Sequence, residues 1–457
     1  MRRKIDSVLS EWRSTPGQAL VLEGPRQVGK TYAMKNLAKA YGSSVYINLE
    51  DNEELKAVFE HSNNADKIYE ELSFHGLKFD LTGGKPLFII DEIQSCSKAF
   101  SALKPLAVDG RCDVIASGSL LGVGLSDENF LSPLGYVRLI DVGPMDFEEF
   151  LWALGIEEDL TEKLATWIAS RSEISDSVRR AVTEYFRKFM VVGGMPAAVK
   201  VYAETKDYNQ VWSVLGSIYG IIRADVMRYS NKKDKLKILA CLESVPSQLA
   251  RENKDFIYKD VEKISGSGKR EYGSSLDWLQ RAGLVIICRN LKDLCEPLAQ
   301  MERSDSFKVY LRDSGILTFM LGRETAVAVE TGDIHVNQGA VMESCIAQAL
   351  CASGYAIHFY AKSSSLLKMD FIISYEGKLT ALEVKSGRTK RSRSLLLLMS
   401  GGYRIERGIK IADSPAGTDE KGILHLPLFA PSFFRTPRFA GPAPTGPEAV
   451  DRALREM

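Results

Sequence analysis

"ALVLEGPRQVGKTYAMKNLAKAY", residues 19–41, decides the fold of the first part of the chain. An apolar run of strand character feeds Gly24, then four residues, then Gly29, Lys30 and Thr31, and a pattern of helical period follows. Strand, glycine loop and helix in that order are what a phosphate-binding loop requires. Glycines let the backbone wrap an anion, so that successive N–H groups and the helix N-terminus face it. Lys30 then reaches the β- and γ-phosphates, and Thr31 is placed to ligate Mg²⁺. The residues expected around the nucleotide are Gly24, Pro25, Arg26, Gln27, Val28, Gly29, Lys30, Thr31 and Tyr32.

A nucleotide-bound metal needs a carboxylate on a neighbouring strand, and "KPLFIIDEIQ", residues 85–94, ends an apolar strand in Asp91 and Glu92. Asp91 is expected to organise Mg²⁺ and Glu92 to act as general base on the attacking water. "CDVIASGSLLG", residues 112–122, is a further buried strand ending in Ser117 and Ser119. There Ser119 either senses the γ-phosphate or belongs to a plain turn.

Working outward, 457 residues exceed what one hydrophobic core usually organises, and 45% apolar with 26% charged is an ordinary globular composition. No run approaches 18 uninterrupted apolar residues, and "MRRKIDSVLSEWRST" lacks the apolar segment of a signal peptide, so a cytoplasmic protein without membrane contact is expected. Seven cysteines without a C-x-x-C pair indicate neither a disulfide framework nor a zinc site. Net charge is zero, yet residues 360–410 hold 11 Lys or Arg against 4 Asp or Glu. Five of those bases lie in "KSGRTKRSRS", residues 385–394, which suits an anionic partner such as nucleic acid or is simply a solvated face.

"EGPRQVGKT", "INLED", "FIIDEIQ", "SGSLLG", "LSPLGYVRLIDVGPMDFEEFL", "VVGGMPAAV" and "IYGIIRADVMRY" follow one another along the chain. In that order they resemble the prokaryotic AAA-type P-loop ATPases with an appended C-terminal domain of unknown function and a nuclease-like end. "KVYLRDSGILTFMLG", "GAVMESCIAQAL" and the "DFII" and "LEVKSG" segments extend the resemblance from about residue 15 to residue 429. Tyr136 stands where many relatives carry arginine, which leaves Arg223 and Arg228 as candidate phosphate-contacting arginines. The resemblance implies ATP and Mg²⁺ as ligands, and a homo-oligomer is open.

Between the ATPase and the basic patch, residues 234–291 read helix, helix, turn, helix, strand, the order of a winged helix. Residues 270–282 are then the recognition helix, with Lys269, Arg270 and Arg281 available to phosphates; a protein-docking module is the alternative.

"MDFIISYEGKLTALEVKSG", residues 369–387, reads as a hairpin turning at Glu376 and Gly377. Pairing Tyr375 with Lys378 puts Asp370 opposite Glu383, where two carboxylates repel across about 5 Å. Either a divalent metal relieves that repulsion, or Lys385 and Lys368 complete a neutral ladder of two acids and two lysines. The helix before it, read over "NQGAVMESCIAQALCASG", residues 337–354, places Glu343 on the stripe of Ile346, Ala347 and Leu350 that should meet the sheet. Helix, three strands, helix, strand resembles the PD-(D/E)XK nuclease core. By that resemblance Asp370 and Glu383 hold a second Mg²⁺ or Mn²⁺, Lys385 serves catalysis, and Glu343 assists from the helix. Met369 replaces the proline of the motif's name.

The expected class is therefore α/β: an AAA-type P-loop parallel sheet, a helical winged-helix-like domain, and a C-terminal αβββαβ restriction-endonuclease-like domain. The boundaries read 1–150 for the ATPase core, 151–225 for a helical lid, 226–325 for the winged-helix-like part, 326–435 for the nuclease-like part, and 436–457 for a disordered tail rich in Pro and Gly. Two functions stand: an ATPase coupled to nucleic-acid binding and metal-dependent cleavage, or an ATP-switched binding protein whose nuclease-like domain is inert.

Overall fold

The computed structural model describes residues 1–15, 17–62, 64–119, 135–229, 234–261, 269–333, 338–362, 367–385 and 392–436. It divides into two compact units, Arg3–Val142 and Gly143–Thr436, the second also including Met1 and Arg2.

In the first unit, the described residues form β1 (Ala19–Glu23), β2 (Ser44–Asn48), β3 (Leu87–Asp91), β4 (Asp113–Gly118) and β5 (Val137–Asp141). They make one parallel sheet in the order β2-β3-β4-β1-β5. Their apolar runs do not alternate, because a parallel sheet is covered on both faces. Leu20, Val21 and Leu22 of β1 and all five residues of β3 are buried. Helices Glu53–His61, Ala65–Phe74 and Ser97–Asp109 close one face through Phe59, Leu72, Phe100 and Leu103. The C-terminal ends of β1, β3 and β4 then point to one edge, where parallel α/β sheets bind ligands.

In the second unit, helices span Phe147–Ala153, Glu158–Ser170, Asp176–Val192, Pro196–Thr205, Tyr208–Tyr229 and Lys235–Leu249. Helix Lys269–Arg281 follows and leads into β6 (Val285–Leu291) and β7 (Glu302–Leu311). After helix Gln338–Ala352 come β8 (His358–Ala361), β9 (Lys368–Tyr375), β10 (Lys378–Val384), helix Arg393–Ser400 and β11 (Arg407–Ile411), the order expected from the sequence. Short strands β12 (Gly417–Thr418) and β13 (Leu424–Leu426) follow, and a 3-10 turn spans Ala430–Phe433.

Segments read as two domains contribute to one sheet here, in the order β12-β13-β11-β10-β9-β8-β6-β7. β6 pairs in parallel with β8, and the Asn290 side chain locks that seam by exchanging two 3.0 Å hydrogen bonds with the backbone of Ala361. One core runs from Leu291 and Leu298 through Met369, Ile372 and Ala381 to Leu395.

Two glycine motifs of the resemblance have a structural role. Asp313 caps helix Ser314–Leu321 by accepting from Ile316 N at 2.9 Å and reaches Gly194 N at 2.7 Å. A Cβ on Gly194 would stand 1.9 Å from Met145 O, and one on Gly315 2.4 Å from Val192 O. Burial pushes the Asp313 carboxyl up to about 6 against these backbone donors.

Candidate functional site

The phosphate loop is built by two departures from ordinary backbone. Gly24 has φ 142°, and a Cβ there would lie 2.1 Å from Val142 O, so only glycine lets the loop leave β1. Gly29, at φ 92°, opens helix Lys30–Ala38, whose N-terminus faces the loop. Lys30 is buried and donates to Gly24 O and Pro25 O, both at 2.8 Å, so its ammonium lies folded along the loop. Burial lowers its pKa to about 8, against the opposing charges of Glu92 and Asp91.

Thr31 Oγ1 donates to Asp91 Oδ2 at 2.8 Å, joining the helix N-terminus to the end of β3. Tyr46 hydroxyl donates to the same oxygen at 2.9 Å, and the Ser117 hydroxyl bonds to Oδ1. Glu92 takes the left-handed conformation at φ 53°, a strained geometry of the kind found at functional sites. Its Oε2 accepts from Ser119 Oγ at 2.9 Å and from Gln94 Nε2, and Gln94 also reaches Ser119 at 3.1 Å. Arg26 NH2 forks onto both oxygens of Glu50 at 2.9 and 2.8 Å and stands 4.0 Å from Glu92 Oε2. Tyr32 is exposed beside the loop, and Tyr136 is exposed with Lys104 Nζ 5.0 Å from its ring centre.

The structure thus brings Gly24, Lys30, Thr31, Asp91, Glu92 and Ser119 together at one sheet edge. Thr31 and Asp91 offer two hard oxygen ligands beside a loop shaped for phosphate, a donor set that suits Mg²⁺. Arg223 and Arg228 lie on helix Tyr208–Tyr229 of the other unit, where Arg223 pairs with Glu243 at 3.4 Å.

In the second unit, β9 and β10 pair in the expected register, Tyr375 with Lys378 through Phe371 with Leu382, around a turn of Glu376 (φ 52°) and Gly377 (φ 70°). Glu343 is buried, as its helical stripe required, but its partners are cations. Lys308 Nζ, fully buried on β7, donates to Oε1 at 2.7 Å, the Tyr310 hydroxyl donates to the same oxygen, and Lys254 holds Oε2. Burial alone would push Glu343 up; the two lysines outweigh it and hold the carboxyl well below the carboxylate range. Burial likewise works against charged Lys308, yet Glu343 and then Asp370 raise its pKa above the usual lysine value.

Asp370 Oδ2 accepts from Val384 N at 2.8 Å, and burial, followed by the Glu343 charge, raises its pKa. Glu383 pairs with Lys385 at 2.9 Å, while Lys368 bonds to Glu252 O and the Asn253 side chain. Among the described residues no group of three or more His, Cys, Asp or Glu side chains could hold a metal ion, so the trio Glu343, Asp370 and Glu383 is not gathered as a metal site. Of the basic patch, residues 386–391 lie outside the described residues, as do the side chains of Lys269 and Arg270 and the tail beyond residue 436.

Sequence reading missed Glu50, Tyr46 and Gln94 around the phosphate loop and Lys254, Lys308 and Tyr310 around Glu343. The one available signal was Lys308 itself, a lysine inside the buried run Phe307–Leu311.

Residues 16–151 match the model of the AAA domain. Over that range the parallel sheet, the glycine loop and the Thr31–Asp91 contact have the arrangement of a P-loop fold. Residues 183–326 match a domain of unknown function, DUF8612, and residues 338–426 another, DUF4143. No match was found among curated proteins. Among solved structures, the Walker-type ATPase PABY2304 of Pyrococcus abyssi is similar over 70% of this chain and 95% of its own, at 13% identity and a TM-score of 0.43. AMPPCP-bound DnaA from Aquifex aeolicus is similar over 59% and 74%, at 16% identity and 0.27. The Thermotoga maritima RuvB Holliday junction branch migration motor is similar over 62% and 87%, at 13% identity and 0.29. No helix among the described residues is long and apolar enough to cross a membrane.

Proposed function

We propose that the chain is a Mg²⁺-dependent ATPase whose nucleotide state governs binding of nucleic acid by its second unit, which does not cut what it binds. The observation that carries the ATPase is the meeting of Thr31 and Asp91 at 2.8 Å beside the buried Lys30. When bound, Mg²⁺ would be held by Thr31 and Asp91 and would offset charge on the β- and γ-phosphates. Lys30, now on the Gly24 and Pro25 carbonyls, swings to the phosphates, a stronger acceptor than neutral carbonyls. Glu92 would take a proton from the attacking water, and Ser119, which donates to its carboxylate at 2.9 Å, would hold it in place.

For the second unit, the neutralised Glu343 favours the inert reading. A metal there would have to displace two lysines, one of them fully buried, and the described acids do not converge on a point. Nucleic acid is favoured as partner by the basic run of residues 385–394, which supplies phosphate-binding charge without sequence readout.

The test is a labelled-oligonucleotide binding titration on full-length protein with no nucleotide, ADP or a non-hydrolysable ATP analogue, each in Mg²⁺ and Mn²⁺, with the DNA or RNA resolved on a gel afterwards. Affinity should depend on nucleotide, fall with salt, and leave the oligonucleotide intact. Cleavage that disappears in Asp370→Asn would restore the nuclease reading.

A further inference from the structure

Arg26 is the third residue of the loop from Gly24 to Thr31, yet its side chain points away to a carboxylate. Glu50, two residues past β2, is fixed there because its N–H donates to Asn48 Oδ1 at 2.8 Å. One terminal nitrogen of Arg26 forks onto both Glu50 oxygens, and both side chains are largely shielded, at 21% and 14% exposure. The same nitrogen stands 4.0 Å from Glu92 Oε2. Arg26 also acts electrically on Lys30, since its charge is among the causes that lower the lysine's pKa. The loop therefore carries two cations: Lys30 is held by weak acceptors, Arg26 by a full carboxylate.

We propose that Glu50 is a competitor for the polyphosphate: it holds Arg26 in reserve, and nucleotide binding transfers the guanidinium from Glu50 to the phosphates. This rests on the ATPase reading above. A guanidinium pairs well with either a carboxylate or a phosphate, so the exchange needs a side-chain rotation and no new chemistry. Because Arg26 must first be released, the nucleotide-free protein is only partly competent, and apparent affinity is reduced by that fraction. Glu50 is thus a positioning residue that sets nucleotide affinity through Arg26.

The competitor relation gives the two partners opposite signs, which a merely structural ion pair would not. MgATP and MgADP dissociation constants are measured by calorimetry for wild type, Lys30→Ala, Arg26→Ala, Glu50→Gln and the Arg26→Ala/Glu50→Gln double variant. Arg26→Ala should weaken MgATP binding about tenfold or more. Glu50→Gln should tighten it roughly three- to tenfold, and the double variant should match Arg26→Ala within about twofold. Weaker binding in Glu50→Gln, or tightening that survives removal of Arg26, overturns the proposal. If Glu50→Gln does not fold, Glu50→Asp, which shortens the carboxylate's reach, should tighten binding by a smaller factor, and no tightening there counts against it equally. Wild type that fails to bind MgATP, or binds it as well as Lys30→Ala does, would instead overturn the ATPase reading.

Discussion

Lys30 joins two opposing demands, burial for shape and charge for function. Its pKa of about 8 in the nucleotide-free protein lies below the ordinary 10.5, so it releases its proton early as pH rises. A polyphosphate favours the charged form, so binding above about pH 8 requires Lys30 to take up a proton. MgATP affinity should therefore fall by up to about tenfold per pH unit from roughly pH 8 until the bound-state pKa is reached. Calorimetry in two buffers of different ionisation enthalpy should register that uptake, and a pH-independent affinity between 7 and 9.5 would show that Lys30 does not meet the phosphates. Glu92→Gln should keep MgATP binding within a few-fold but lose hydrolysis by about 10²–10⁴, because it removes the acceptor while keeping the shape. Single-turnover phosphate release compared with binding separates those effects. Lys30, Thr31, Asp91 and Glu92 were legible because fixed spacing and an apolar strand announce them. Glu50, Tyr46 and Gln94 were not, since their roles arise only when β2 is laid beside β3.

At the scale of elements, Asp313 ties a helix N-terminus to the glycine turn at Gly193 and Gly194, and the site is closed to water. Asp313→Ala removes a cap and an acceptor together and should cost about 2–4 kcal/mol, read as a lower denaturation midpoint. The pH sign follows from the raised pKa of about 6 against 3.8 in the unfolded chain. The folded form prefers the proton, so this contribution is fully present below about pH 4 and is lost as pH rises through 6. It amounts to about 3 kcal/mol for two pKa units. In Asp313→Asn that slope between pH 4 and 6 should vanish; an unchanged slope would assign it to another group. The hairpin of β9 and β10 was legible to the residue, because a two-residue Glu-Gly turn sets its register. The glycine motifs were legible as motifs, but the close backbone approach that demands them depends on residues distant in sequence, Met145 for Gly194 and Val192 for Gly315.

At the scale of the whole molecule, the second unit joins through one sheet and one core segments that sequence reading divided at residue 325. Severing the chain there should leave neither fragment soluble alone, since β6 would lose β8 and Leu291 its core. A monomeric, cooperatively melting fragment 326–436 would contradict this. The acid and lysine network makes a related forecast: Lys308→Met should destabilise by about 3–5 kcal/mol by leaving Glu343 buried against an incomplete set of charges. Mg²⁺ or Mn²⁺ should not raise the melting temperature of nucleotide-free protein through Glu343, Asp370 and Glu383. The most direct test of the account is steady-state phosphate release from MgATP by full-length wild type, Lys30→Ala and Asp370→Asn, each with and without nucleic acid. Turnover in wild type, none in Lys30→Ala and wild-type turnover in Asp370→Asn is the result predicted; no turnover in wild type, or turnover that survives Lys30→Ala, would contradict it.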